Sequence, residues 1–264
     1  VTLTPEMAAM DELGAAIRDG VRRDPDITAG YSRDSTDLLP AGSPLAVVSP
    51  ENAEEVTKIL GWASRHRVGV VTRGGATGIS GGALVPDGCI VLSTEKLTAV
   101  RDISPADRLA VAEAGVLNGD LNQMAAEHGL IFAPDPSSSP TCSVGGNVAT
   151  NAGGLRCVRY GATRANILGL EVVLPDGRHL HTGGRTAKRS TGYDLTQLFV
   201  GSEGTLGVVV SATVRLVPKP PAQLTALATF DDVEAAARAA ARLTGSGTPT
   251  LVELMDRASI AAVD

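Results

Sequence analysis

The chain has 264 residues and a formal net charge of -6, and its 43% hydrophobic against 20% charged residues is an ordinary globular profile with room for one large domain or two small ones. Aromatic residues make up only 3%, and acidic residues outnumber basic ones, so a nucleic-acid surface of stacking rings and clustered cations is excluded. Cys89, Cys142 and Cys157 are too few and too scattered for a disulfide framework or a C-x-x-C metal site, which fits a reducing cytoplasm; no apolar run is long enough to span a membrane, and peripheral association stays open.

In chain order, Met7, Met10, Leu13, Ala16 and Ile17 fall at amphipathic spacing and predict a helix over 5–19, with Thr4 as its cap before Pro5. Residues 34–44 are polar and turn-rich, a loop. A short strand over 46–49 precedes a helix over 51–66 whose apolar stripe is Ala53, Val56, Ile59, Leu60 and Ala63. The β-branched run 68–72 predicts a buried strand, giving a β-α-β-like unit with ligands expected at its strand ends. Further strands are expected over 89–92, 97–103 and 109–112, then a helix over 117–128 capped by Gly129. Strand 167–174 turns at Asp176-Gly177 into 178–182, a short helix covers 194–200, and a valine-rich strand runs over 206–217. Pro218, Pro220 and Pro221 mark a boundary, dividing the chain into domains 1–220 and 221–264. Beyond it, a strand over 224–230, a helix over 231–243 and a strand over 250–255 are too little for a core of their own and read as the opening of a second domain.

Two stretches break this pattern of apolar elements: RGGATGISGG (73–82) and APDPSSSPTCSVGGNVATNAGG (133–154). Both are nearly free of large apolar side chains, yet each sits between apolar segments, so neither is core or linker. Glycine and small residues let backbone N–H groups approach a ligand closely, and two such walls point to a large phosphate-bearing ligand held mainly by main chain. No Gly-Lys pair exists for a phosphate loop, and Gly74-Gly75-Ala76-Thr77-Gly78 lacks the G-x-G-x-x-G of nicotinamide-binding folds. A different dinucleotide cradle remains, in which each buried amide on a pyrophosphate contributes roughly 1.5–3 kcal/mol.

These two stretches, with RYGATRANILGLEVVLPDGR (159–178), KRSTGYDLTQLFVGSEGTLGVV (188–209) and a closing TVRL before prolines, occur in one order that resembles the FAD-linked oxidase family of the vanillyl-alcohol oxidase and p-cresol methylhydroxylase superfamily. The nearest branch is the one of the glycolate oxidase FAD subunit, D-lactate dehydrogenase and D-2-hydroxyglutarate dehydrogenase. The resemblance runs from about residue 46 to 220 and continues weakly into residues 253–256. It implies an α+β fold: a two-subdomain FAD-binding domain of the p-cresol methylhydroxylase type, followed by the start of an α+β substrate (cap) domain.

By the same resemblance, Arg73, Gly74, Gly75, Ala76, Thr77, Gly78 and Gly82 would hold the pyrophosphate of FAD. Pro134, Asp135, Ser138, Cys142, Ser143, Val144, Gly145 and Gly146 would line the ribityl and isoalloxazine region, and Ala149, Thr150, Asn151 and Gly154 would continue that wall. Tyr160 and Gly161 would flank the cofactor, with Tyr160 equally readable as a packed aromatic; Glu203 and Gly204, with Val208 or Val209, would lie near the adenosine. Covalent relatives carry a histidine in the first loop; Ala76 and Thr77 stand here, so FAD is expected without a covalent link.

The reaction implied is oxidation of a small D-2-hydroxy acid to the 2-oxo acid with hydride transfer to the flavin, and the base and carboxylate clamp are expected beyond residue 264. The electron acceptor (a quinone, oxygen or an electron-transfer protein) stays open, as does a homodimer. Two alternatives stand beside this reading: another flavin reaction on the same scaffold, and a non-catalytic FAD-binding subunit. The histidines supply no catalytic group. His66 and His128 fall at helix ends, and His179 and His181, at i and i+2 on one strand, lack a third ligand nearby. Cys142 has no adjacent base to make it a nucleophile.

Overall fold

The computed structural model describes residues 5–17, 20–36 and 39–263. Its first half is a four-stranded sheet with helices packed on it. Helix α1 (Pro5–Ala16) leads into β1 (Val21–Arg22), a short α2 (Pro25–Ala29), β2 (Ala46–Val48), α3 (Ala53–His66), β3 (Gly69–Arg73) and β4 (Cys89–Ser93). The strand order is β1-β2-β4-β3, with β4 parallel to both of its neighbours. Strands β2 and β3 are therefore joined by α3 but not paired; β4, entered from the 74–88 loop, lies between them.

Sequence reasons for this half are plain. Asn52 caps α3 by accepting from the Glu55 amide, Glu54 and Glu55 suit the positive end of the helix, and Arg65 and His66 suit the other. The expected stripe of α3 is buried, joined by Trp62, whose indole N–H donates to the Ala9 carbonyl at 2.8 Å. These residues meet Leu13 and Ile17 below and Ala46, Val48, Ile90 and Leu92 above, forming one core. The Thr4 cap, the Met7 side chain and the expected last turn of the first helix lie outside the described residues.

The second half is an antiparallel sheet: β5 (Val100–Ser104), β6 (Leu109–Glu113), then α4 (Asn118–Ala126), β7 (Leu130–Phe132), α5 (Val144–Thr150), α6 (Cys157–Tyr160), a 3-10 turn (Thr163–Asn166), β8 (Ile167–Val173), β9 (His179–Gly183), α7 (Leu195–Phe199) and β10 (Val208–Pro218). The order is β5-β6-β10-β8-β9, and β7 takes over from β6 beside the last residues of β10. One face carries Ala110, Ala112, Leu170, Val172, Ala212 and Val214 under Leu121, Val144, Val148 and Phe199. Alternation along β10 splits its side chains: Val209 joins this core, while Val208 and Val210 join the core beneath α3. The two halves thus share β10 and the end of β8 as a common wall. Helix α4 ends at Ala126, two residues short of the expected end, and the chain turns over at the expected Gly129 with φ +68.

Four expectations need correction. The strand read as buried, β3, is half exposed, because it is the edge of its sheet. The second glycine-rich stretch is not all loop, since 144–150 is helical behind the Ser143 cap. Residues 224–230 and 250–255 form no strands: both lie as exposed coil, with Leu224 100% and Leu227 89% exposed. A strand needs hydrogen-bonded neighbours, and no described residue pairs with them, whereas α8 (Val233–Ser246), whose bonds are internal, forms without a partner, as does α9 (Arg257–Val263). Neither of these two helices buries a residue.

Candidate functional site

The two glycine-rich stretches lie against each other. A β-carbon on Gly74 would stand 2.4 Å from the Ser143 hydroxyl, so a larger residue there would have to displace that side chain. The second stretch is folded on itself in the same way, since a β-carbon on Gly154 would stand 2.0 Å from the Asp135 carbonyl oxygen. Gly145 fits beneath Ala114, 2.9 Å from its carbonyl oxygen by the same measure. Gly145 and Gly154 therefore serve backbone-to-backbone packing, and Gly74 packs against a side-chain hydroxyl, together building the site's walls.

The walls differ in what they leave unpaired. In the second, the amides of Val144, Gly145 and Gly146 donate to the Val116 carbonyl, the Ala114 carbonyl and the Ser143 hydroxyl, at 2.8, 2.8 and 3.1 Å. Beneath it, buried Asn118 donates to Ser139 at 2.8 Å and accepts from Asn147 at 3.1 Å, tying the 133–143 turn to α4 and α5. In the first wall, among the described residues, none of the amides from Gly74 to Gly82 donates to a protein acceptor. A run of unmet donors on a curled loop fits the pyrophosphate of a dinucleotide.

Among the described residues, five that are not glycine have left-handed φ: Arg67, Ala76, Arg108, Asn151 and Glu203. Arg67 and Asn151 end helices, and Arg108 sits in the turn between β5 and β6. Glu203 (φ 50) and Gly204 (φ 76) form the centre of a turn closed by the Thr205 amide on the Ser202 carbonyl at 3.0 Å, whereas Ala76 (φ 50) has no such role. The Glu203 carboxylate reaches the first loop, where a β-carbon on Gly82 would lie 2.7 Å from its Oε2. The Glu203 amide donates to Ala149 and that of Gly201 to Val148, both at 2.9 Å, so the 201–204 turn is docked on α5.

Where these parts converge is a cleft of about 40 Å³, lined among others by Gly74, Gly145, Gly146, Ala149, Gly204 and Val209. It also takes in Thr72, Thr94, Ala114, Ser202 and Gly207, which the reading of the sequence passed over. The adjacent small residues Ala114-Gly115, between a strand and a helix, are the one signal that could have drawn attention to them. A larger depression of about 400 Å³ lies between α1, α3 and the Asp176–Arg178 turn and shares none of these residues. It lacks the unpaired amides and the strained backbone, and the site is assigned to the smaller cleft.

Other expected residues face elsewhere. The Arg73 guanidinium is not on the cleft: it donates to the Arg33 carbonyl at 2.6 Å and lies 5.3 Å over the Tyr31 ring, and burial lowers its pKa. Asp135 pairs with Arg156 at 3.2 Å, and Ser138 supplies a carbonyl to the amides of Thr141 and Cys142, each at 2.8 Å. Cys142 is 3% exposed, and burial pushes its thiol pKa up, which suits packing rather than nucleophilic attack. The Thr150 hydroxyl donates back to the Gly146 carbonyl at 3.0 Å. Tyr160 lies under Arg159 at 5.4 Å, and Gly161 has φ +72. Val208, unlike Val209, points into the core beneath α3. His179 meets Thr57 at 2.6 Å, and among the described residues no group of metal-ligating side chains exists. No helix among them is long and apolar enough to cross a membrane.

Comparison with known proteins agrees with this geometry. The FAD binding domain family matches residues 44–183, and the C-terminal domain of FAD linked oxidases matches 219–264. The chain is 47% identical over 222 residues to glycolate oxidase subunit GlcD of Escherichia coli K12, covering 84% of this chain and 44% of that protein. It is 41% identical over 245 residues to D-2-hydroxyglutarate dehydrogenase of Xanthomonas citri pv. viticola, covering 90% and 51%. It is 42% identical over 220 residues to D-lactate dehydrogenase of Archaeoglobus fulgidus, covering 83% and 49%. The chain thus spans about half the length of these relatives. In fold it is similar to p-cresol methylhydroxylase (TM-score 0.74, 22% identity, 84% of this chain and 45% of that one) and to alkyldihydroxyacetonephosphate synthase (TM-score 0.73, 22%, 84% and 42%). The chain belongs to the FAD-linked oxidases, with the α+β FAD-binding fold of p-cresol methylhydroxylase, and FAD is its cofactor.

Proposed function

We propose that this chain carries the FAD-binding part of a dehydrogenase or oxidase that converts a small D-2-hydroxy acid, of the glycolate, D-lactate or D-2-hydroxyglutarate kind, to the 2-oxo acid. The observation that carries the reading is the joining of 41–47% identity to three such relatives with a cleft whose first wall holds uncommitted amides. When bound, FAD supplies the electron-accepting ring, and the protein supplies orientation and electrostatics around it.

In this reading the amides of Gly74 to Gly78, and of Gly82, hold the pyrophosphate. The Pro134–Gly146 wall, with Ala149 to Gly154, shapes the floor beneath the ring and excludes water from it. The 201–204 turn and Val209 receive the adenosine end. Arg73 acts from behind, through the 31–33 segment it binds, rather than on the phosphates. With Ala76 and Thr77 in the first loop, the flavin is held without a covalent bond, and acid precipitation should leave it in the supernatant. Residues 1–220 form the FAD domain and 221–264 the first part of the substrate domain, which is the source of the base and the carboxylate clamp.

The test is anaerobic. Glycolate, D-lactate and D-2-hydroxyglutarate are added in turn to the full yellow protein, and one of them should bleach the flavin band. A bound flavin that none reduces would point to a different reaction on this scaffold, and a protein that purifies without flavin would overturn the reading altogether.

A further inference from the structure

The segment from Tyr31 to Ser35, which runs into the polar loop read over 34–44, touches the first glycine loop at two of its carbonyls. The Ser35 amide donates to the Gly78 carbonyl at 3.0 Å, and the Ser35 hydroxyl donates to the Ala76 carbonyl at 3.3 Å. A trans peptide holds its N–H opposite its C=O. Fixing the Ala76 and Gly78 carbonyls toward Ser35 therefore turns the Thr77 and Ile79 amides away from it, and neither amide has a protein acceptor. The left-handed Ala76 (φ 50) is the residue that most needs such a restraint.

The segment is itself anchored. The Arg22 and Arg73 guanidinium groups lie over the Tyr31 ring at 5.1 and 5.3 Å, and the Tyr31 hydroxyl donates to Glu95 at 3.0 Å. Glu95 also accepts from Arg22 and, at 2.8 Å, from Ser49. Arg73 closes the circuit by donating to the Arg33 carbonyl. Farther along, the Ser32 carbonyl accepts from the Val85 amide at 2.9 Å, so the strap holds the 74–88 loop near its far end as well.

We infer that residues 31–35 are a strap that orients the amides of the first glycine loop, with Ser35 as the positioning residue for FAD binding. The inference rests on the reading that this loop cradles the FAD pyrophosphate, and the experiment separates the two. FAD is stripped from the full protein, and its dissociation constant is measured by flavin fluorescence for wild type, Ser35→Ala, Ser35→Thr, Tyr31→Phe and Gly78→Val, alongside the melting temperature of each apoprotein. Losing one neutral hydrogen bond corresponds to a roughly three- to ten-fold weaker affinity. Ser35→Ala should show that loss with an unchanged apoprotein melting temperature, and Ser35→Thr, which keeps the hydroxyl, should restore it. Tyr31→Phe, one bond farther away, should weaken FAD less. If Ser35→Ala binds like wild type while Gly78→Val loses FAD, the strap is wrong and the cradle stands; if Gly78→Val also keeps FAD, the cradle is wrong. A fall in apoprotein melting temperature for Ser35→Ala, unrescued by threonine, would make Ser35 a plain structural residue and overturn the inference.

Discussion

Gly75 is pressed against Thr141: a β-carbon there would stand 2.4 Å from the Thr141 carbonyl oxygen and 3.2 Å from the Cys142 α-carbon. Backbone atoms cannot step aside as a side-chain tip can, so Gly75→Ala must push the two walls apart. Overpacking of this kind costs about 1–3 kcal/mol. The variant should lose that much stability to denaturant, and its FAD affinity should fall with it, because the cleft is the seam being opened. A Gly75→Ala protein with wild-type stability would mean that the two walls do not touch as described.

Gly78 makes the opposite case. Its nearest neighbour in the position of a β-carbon is the Asp34 carboxylate at 3.9 Å, and its φ is not left-handed. The protein has room for a side chain there, so Gly78→Val should leave the apoprotein's stability nearly intact and abolish FAD retention by filling the cradle. Gly177→Ala is the control. It has φ +86 and a β-carbon position 3.3 Å from the Thr57 carbonyl, at a turn remote from the cleft. That change should cost about 1 kcal/mol of stability and keep the flavin. Equal flavin content in the two purified variants would show that the pyrophosphate lies elsewhere.

The contrast between these glycines also marks what the sequence could convey. Composition located both walls, because stretches without large apolar side chains stand out between apolar elements. It could not say which glycines serve the protein's own packing, as Gly74, Gly75, Gly145 and Gly154 do, and which leave space, as Gly78 does. Helix α5 was hidden for a related reason. VGGNVAT has poor helix propensity, and the helix forms because Ser143 caps it and Val144 and Val148 are buried under the sheet. The amphipathic α3 and the valine-rich β10 were legible because their apolar periods match their burial. Ser35 acts through contacts distant in sequence that no local pattern announces, and Ala114 is marked only by the small pair Ala114-Gly115 between a strand and a helix.

Cys142 should be the slowest of the three thiols to alkylate. It is buried and its pKa is pushed up by loss of solvent, whereas Cys89 and Cys157 are partly exposed. Iodoacetamide at pH 8 followed by peptide mass analysis should find Cys89 and Cys157 modified well before Cys142. Early labelling of Cys142 would place it on an open surface and undo the packing of residues 141–146 against Gly75.

Glu95 gives the anchor of the strap an acid limit. Burial acts to raise its pKa, but hydrogen bonds from Ser49, Arg22 and Tyr31, with the Arg22 charge, outweigh burial and hold it below the ordinary 4.5. A carboxyl depressed in the folded state contributes stability that is fully present above its unfolded pKa and is lost as pH falls through its folded one. The melting temperature of the protein should therefore decline below about pH 4.5, and Glu95→Gln, starting lower at neutral pH, should decline less steeply. A variant with the same acid slope as the wild type would remove this carboxylate from the account.

The last residue of β10 is Pro218, and Lys219 makes the final described backbone bond to the main body, donating to the Gly129 carbonyl at 2.9 Å. Past it, α8 and α9 bury nothing, and Leu224, Leu227, Met255 and Val263 stand exposed. None of the three hydrophobic core clusters contains a residue from this region. Stability of the FAD-binding body should then be independent of it: a chain ended at residue 220 should melt within a few degrees of the 264-residue chain and bind FAD with the same affinity. The longer chain should also show more dye binding to apolar surface, since it adds exposed leucines without covering them. If the shorter chain instead unfolds or drops its flavin, residues 221–264 hold the body together, and the domain boundary proposed at the prolines lies in the wrong place.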